Sequence, residues 1–146
     1  MDDPYDLNRF VQAQDINYDQ ALSELRGGRK RSHWMWYVFP QVEGLGFSSM
    51  SAKYAIGSID EAEAYLEHPL LGSRLLECFE ALLGITGRTA HEIFGDPDDM
   101  KLKSSATLFA SVSPSGSVFH RLLDRYFDGE QDERTLELLG VDGDTF

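Results

Sequence analysis

The chain has 146 residues, 42% of them hydrophobic and 12% aromatic, which is enough apolar surface for one packed core and too little for two. With 25 acidic against 13 basic residues and a formal charge of -12 at pH 7, its overall field repels polyphosphate and anionic lipid. General binding to nucleic acid or membrane is therefore excluded, and only a local basic patch would attract an anion.

A single cysteine, Cys78, rules out an internal disulfide and reads as a buried core thiol. No apolar run has the length of a membrane span, and the opening Met1-Asp2-Asp3-Pro4 lacks a basic segment followed by an apolar one, so a cytoplasmic location is expected. One globular domain over residues 1–146 is expected.

In chain order, Asp15 or Asn17 can cap a first helix carrying Tyr18, Ala21, Leu22 and Leu25 and ending at Gly27-Gly28. The run His33 to Phe39 is apolar and aromatic and closes at Pro40. Periodicity leaves it open between a buried helical turn and a strand, with helix preferred. Gln41 to Ser51, with Gly44, Gly46 and three serines, reads as loop. Ser58 with Glu61 has capping-box spacing and opens a short helix through Tyr65 and Leu66. Pro69 opens the next, whose stripe is Leu71, Leu75, Phe79 and Leu82, widened by Leu76 and Leu83.

Thr89 and Glu92 repeat the capping box ahead of Ile93 and Phe94, and Gly95 stops that turn. Asp96-Pro97-Asp98-Asp99 reads as a cap, a first-position proline and two acids at a positive helix end, with the helix running through Met100 and Leu102 to Phe109. After a loop at Ser113-Pro114-Ser115-Gly116, Val118 to Phe127 form a strong amphipathic stripe, and a last helix spans Asp132 to Leu139. The expected architecture is all-α, a compact multi-helix domain with room for one or two short strands around Trp36 to Val38 or Lys53 to Ile56.

The chemistry concentrates in Arg26-Gly27-Gly28-Arg29-Lys30-Arg31-Ser32-His33-Trp34-Met35-Trp36. Here four of the thirteen basic residues lie within six positions, directly before both tryptophans. Guanidinium forks at Arg29 and Arg31, the Lys30 ammonium and glycine N–H groups can hold phosphate or carboxylate oxygens; the same charges could equally meet the chain's many carboxylates on the surface. Trp34 or Trp36 can stack a base, an interaction of about 1–3 kcal/mol, while the other fills the core. His33 has a pKa range suited to proton transfer, and Glu43 lies in the glycine-rich loop with Gln41.

Lys101, Lys103, Ser104, Ser105 and Thr107 could complete the site if folded against it; an exposed helical face is the preferred reading. His68, His91 and His120 lack metal-ligand spacing, so neither a metal nor a cofactor is expected. Gly44-Leu45-Gly46 starts like a dinucleotide fingerprint but lacks its third glycine, and a tight turn explains it as well.

Gly28-Arg29-Lys30-Arg31-Ser32-His33-Trp34-Met35-Trp36, Phe39-Pro40-Gln41, Gly44-Leu45-Gly46 and Tyr54-Ala55-Ile56 resemble the bacterial family known as domain of unknown function 1810. So do His68-Pro69-Leu70-Leu71-Gly72, Ile93-Phe94-Gly95 and Lys101 through Phe109. The resemblance spans most of the chain and implies a small, mainly helical cytoplasmic protein, with no catalytic residue to carry over. Size, helical content and the basic-aromatic cluster also suggest kinship with the NADAR N-glycosidases of ADP-ribose-linked substrates, without a motif match.

Two functions follow as expectations. One is a pocket for a phosphorylated or nucleotide-like small molecule, with hydrolysis of a glycosidic bond as the first reaction to test. Arg29, Lys30 and Arg31 would hold the anion, Trp34 or Trp36 the ring, and His33 or Glu43 would transfer the proton. The other is an interaction module in which the same surface grips an acidic protein.

Overall fold

The computed structural model describes residues 3–46 and 48–140. Among them the chain forms helices α1 (Asn8–Arg26), α2 (Met35–Val38), α3 (Ser49–Lys53), α4 (Ile59–Glu67), α5 (Pro69–Leu83), α6 (Ala90–Phe94), α7 (Asp98–Ala110), α8 (Val118–Phe127) and α9 (Glu133–Leu139). The all-α expectation holds. The strand alternatives shrink to an isolated parallel bridge between Val42 and Ile56.

Local capping chemistry sets most helix starts. Ser58 Oγ accepts the Glu61 N–H at 3.0 Å, and Thr89 and Glu92 form a reciprocal box. His68 Nδ1 takes the N–H groups of Leu70 and Leu71 ahead of α5, with Pro69 at its first turn. Two starts differ from the sequence reading. Pro97, which follows a cis peptide bond, occupies the cap position of α7 rather than its first turn, and Asp96 makes no capping bond. α1 begins at Asn8, well before Asn17; yet Asn17 leaves helical geometry (φ -145°, ψ 21°) and kinks the helix where the cap was expected. Its side chain is held by the Tyr37 hydroxyl, with Asn17 Nδ2 at 2.7 Å and Oδ1 at 3.0 Å.

α5 packs on α1, α4 and α8, while α7 packs on α4, α6, α8 and α9. The core between them is aromatic and continuous. Rings meet in the order Tyr54, Phe10, Tyr65, Phe109, Phe119, Phe79, Phe39 and Trp34, the closest pair being Phe79 and Phe119 at 4.8 Å. Leu71, Leu75, Phe79 and Leu82 on α5 are buried as expected, whereas of the two residues that widen the stripe Leu83 is partly buried and Leu76 exposed; Gly72 and Cys78 take inward positions instead.

α7 is buried on nearly all sides from Leu102 to Ala110. Ser104 and Thr107 are therefore interior, their hydroxyls donating to the Met100 and Lys103 carbonyls, and Ser105 Oγ is buried without a partner. These three residues therefore do not lie on an exposed face.

A Cβ at Gly72 would overlap the carbonyl oxygen of Leu66, where α5 turns away from α4. Gly72→Ala is therefore expected to cost about 1–3 kcal/mol through overpacking, measured by urea unfolding. A change within about 0.5 kcal/mol, the range of a neutral surface substitution, would contradict this close approach.

Candidate functional site

The basic stretch is organised by one carboxylate. Glu24, near the end of α1, accepts four hydrogen bonds: at Oε1 from the Arg31 N–H (2.7 Å), the Ser32 N–H (2.9 Å) and the Trp34 indole Nε1 (2.9 Å), and at Oε2 from the Ser32 hydroxyl (2.7 Å). Burial alone would raise this carboxyl; the donors from Arg31, Ser32 and Trp34 outweigh it and hold the pKa at about 2. The loop is pinned on its other side by the Lys30 N–H, which donates to the Ile93 carbonyl at 2.7 Å.

Trp34 is drawn into the core by this arrangement and is 0% exposed. Lys30 lies over its ring at 5.1 Å, pairs with Asp98 at 2.9 Å and donates to the Ser32 carbonyl. Asp98 also meets Lys101 at 3.5 Å, and the Lys101 ammonium lies over the Trp36 ring at 5.1 Å. Two tryptophans and two lysines are thus linked through one aspartate.

Trp36 projects from α2 and remains half-exposed, bordering a partly open cavity of about 230 Å³. Gln41, Glu43, Ser51 and Tyr54 supply its polar groups, while Gly44, Gly46 and Leu45 form part of its wall. The Val42–Ile56 bridge fixes this wall: the Glu43 N–H donates to the Ile56 carbonyl and the Ile56 N–H to the Gln41 carbonyl, both at 2.9 Å. Behind it Arg9 grips the Lys53 and Ala55 carbonyls at 2.7 and 2.8 Å and pairs with Glu61 at 2.8 Å. Gly44 sits at φ +105° with Leu138 of α9 packed against it, and a Cβ at Gly46 would overlap Ser51. The glycines thus serve a tight turn and close packing.

Residues 4–139 match a family model described as protein of unknown function, DUF1810. The chain belongs to this family. The crystal structure of a conserved hypothetical protein, Rv1873, from Mycobacterium tuberculosis is similar to this DUF1810 chain with a TM-score of 0.93 at 52% sequence identity, over 96% of this chain and 100% of that one. No curated protein matches.

Within this DUF1810 fold the residues singled out in the sequence separate into three groups. Trp36, Gln41 and Glu43 converge on the cavity, and Lys101 lies over the Trp36 indole without lining it. Trp34 and Lys30 do not line this cavity: Trp34 is buried in the core, and Lys30 pairs with Asp98 at 9% side-chain exposure. Arg29, Arg31 and His33 are exposed and line none of the described cavities, so of the two alternatives for proton transfer, His33 or Glu43, it is Glu43 that borders the Trp36 cavity.

Ser51, Tyr54 and the organising role of Glu24 were not singled out from the sequence. Ser51 and Tyr54 reach the cavity only because the bridge and Arg9 fold residues 53–56 against Gln41–Glu43. Burial pushes the Cys78 thiol up to about 12, which leaves it protonated and inert at neutral pH. Among the described residues no three His, Cys, Asp or Glu side chains converge as a metal-ligand set, and no helix is long and apolar enough to cross a membrane.

Glu24 titrates near 4.5 when free and at about 2 in the fold. Its stabilisation is therefore fully present above the free value and is lost as pH falls through the folded one. Allowing for solvent screening at a half-buried position, Glu24→Gln is expected to cost about 2 kcal/mol at neutral pH. The gap between variant and parent should close as unfolding is followed down through this acid range. A gap of constant size would contradict the charged carboxylate as the source of the effect.

Proposed function

We propose that this DUF1810 protein binds a nucleotide-like small molecule, with a base or sugar ring seated in the cavity beside Trp36. The convergence of Trp36, Gln41 and Glu43 on one cavity carries this reading. Lys101 covers one face of the indole, so the ring meets the other face or the edge. At about 230 Å³ the cavity is smaller than the roughly 300–1,000 Å³ of drug-sized ligand sites and suits one ring rather than a whole dinucleotide. Glu43 and the Gln41 carbonyl favour a ring edge that donates hydrogen bonds, such as an amino group or sugar hydroxyls. The same carboxylate repels phosphate, so the anionic part of the ligand belongs on the Lys101 side.

Glu43 is the one carboxylate lining this cavity among the described residues. It is therefore the group that would activate a water for hydrolysis of a glycosidic bond. The competing reading, a surface that docks an acidic protein, draws on the exposed Arg29, Arg31 and His33. It has less support, since interface anchors of this kind are aromatic as well as basic and neither tryptophan stands on an open face.

Titrating nucleosides and nucleotides against indole emission is expected to give a saturable change that Trp36→Leu abolishes and Glu43→Gln weakens about tenfold, the scale of one hydrogen bond to a charged group. Binding that survives both substitutions would overturn the assignment of this cavity.

A further inference from the structure

A second site lies away from the Trp36 cavity, where the C-terminal ends of α1 and α5 meet. Gly27-Gly28 and Gly84-Ile85-Thr86 form the walls of a groove of about 450 Å³, and Arg26 and Arg88 are its charged residues. Gly28 sits at φ +78°, and a Cβ there would stand 3.2 Å from both Cδ and Nε of Arg88. The bare glycine therefore lets the arginine lie along the α1 turn, so that Arg88 lines the same groove as Arg26, 62 positions away in sequence. We infer that this groove binds a phosphoryl-type oxyanion, gripped between Arg26 and Arg88 with the Thr86 hydroxyl beside them.

Charge selects this groove from the others. The chain has nearly twice as many acidic as basic residues, and the remaining described cavities all include a carboxylate: Glu43 beside Trp36, Glu43 and Asp60 beside Leu138, and Glu130 among several beside Lys103. The Arg26–Arg88 groove is lined by none. Two guanidinium groups lining one groove repel each other, Glu77 beside Arg26 and the Glu92 charge acting on Arg88 offset this only from outside the groove, and an anion within it relieves the cost.

The arginines are not committed to capping the two helices. The Gly27 and Gly84 N–H groups close the last turns on the Ser23 and Glu80 carbonyls, and Arg125 donates to the Leu83 and Ile85 carbonyls. Arg88 forms no side-chain hydrogen bond or close ion pair among the described residues and meets the Glu92 carboxylate only through longer-range charge attraction. Arg26 has only Glu77 at 3.6 Å, a pair exposed on both sides and so weak enough to yield to a ligand. Two planar forks facing one groove match the oxygens of a phosphoryl group, which each can hold by paired hydrogen bonds.

The test is calorimetric titration of the full chain with inorganic pyrophosphate at low ionic strength, with amide shifts followed by NMR. One saturable site is expected, with shifts centred on Gly27, Gly28 and residues 84–88. Arg88→Gln and Arg26→Gln should each weaken it about tenfold or more, while Arg134→Gln, a remote exposed arginine, leaves it unchanged. Trp36→Leu should also leave it unchanged, which separates this site from the Trp36 cavity: loss of nucleoside binding there says nothing against the groove. Absence of saturation, equal weakening by Arg134→Gln, or shifts centred on Arg29 and Arg31 would overturn the inference.

Discussion

The Glu24 carboxylate is the interaction on which the candidate site depends. An ion on α1 gathers two backbone N–H groups, a hydroxyl and an indole N–H from the loop that follows. The most basic stretch of the chain thereby becomes a fixed connection. Holding the Trp34 nitrogen at the end of α1 puts the rest of that indole among Phe39 and Phe94 in the core. Trp36 follows two residues later at the start of a helical turn, where side chains two apart point to different faces. Burying the first ring therefore turns the second outward, towards the wall built by Gln41 and Glu43.

The charge pattern follows the same economy of position. Asp98 stands between Lys30 and Lys101, and each lysine covers a tryptophan face. Cation and aromatic surface thus neutralise one another inside a molecule whose net charge is strongly negative. What this arrangement leaves over is informative. The Trp36 cavity retains a carboxylate, which favours a donor-rich ring, and the Arg26–Arg88 groove is lined by two arginines and no carboxylate, which favours an oxyanion. A ligand that combines ring and phosphoryl chemistry is treated differently by the two, so the sites need not share one.

Helix starts were legible from the sequence because capping is local: Ser58, Thr89, Asp132 and Pro69 act within a few residues of themselves. Even the misplaced expectation at Asn17 marked a real break in α1, since a short polar side chain disturbs helical geometry wherever a partner such as Tyr37 can hold it. Burial that depends on a distant neighbour was not legible. Ser104, Ser105 and Thr107 look like a solvated face until α8 and α9 close over α7, and α3 was hidden in a serine- and glycine-rich loop. The site was half legible: Trp36, Gln41 and Glu43 were named, whereas Trp34 and Lys30 could be removed only by locating Glu24 and Asp98. Arg88 carried no local signal at all, because its meaning comes from contact with Gly28 across the fold.

The claim that function resides in the Trp36 cavity is tested most directly by thermal denaturation with nucleosides, sugar phosphates, nucleotides and ADP-ribose, alongside phosphate and pyrophosphate. A ligand selective for the folded state raises the melting temperature once its concentration exceeds its dissociation constant. A rise is expected with at least one uncharged nucleoside or its nucleotide, and that rise should vanish in Trp36→Leu. A rise confined to the ring-free phosphates, or a nucleoside effect unchanged by that substitution, would contradict it.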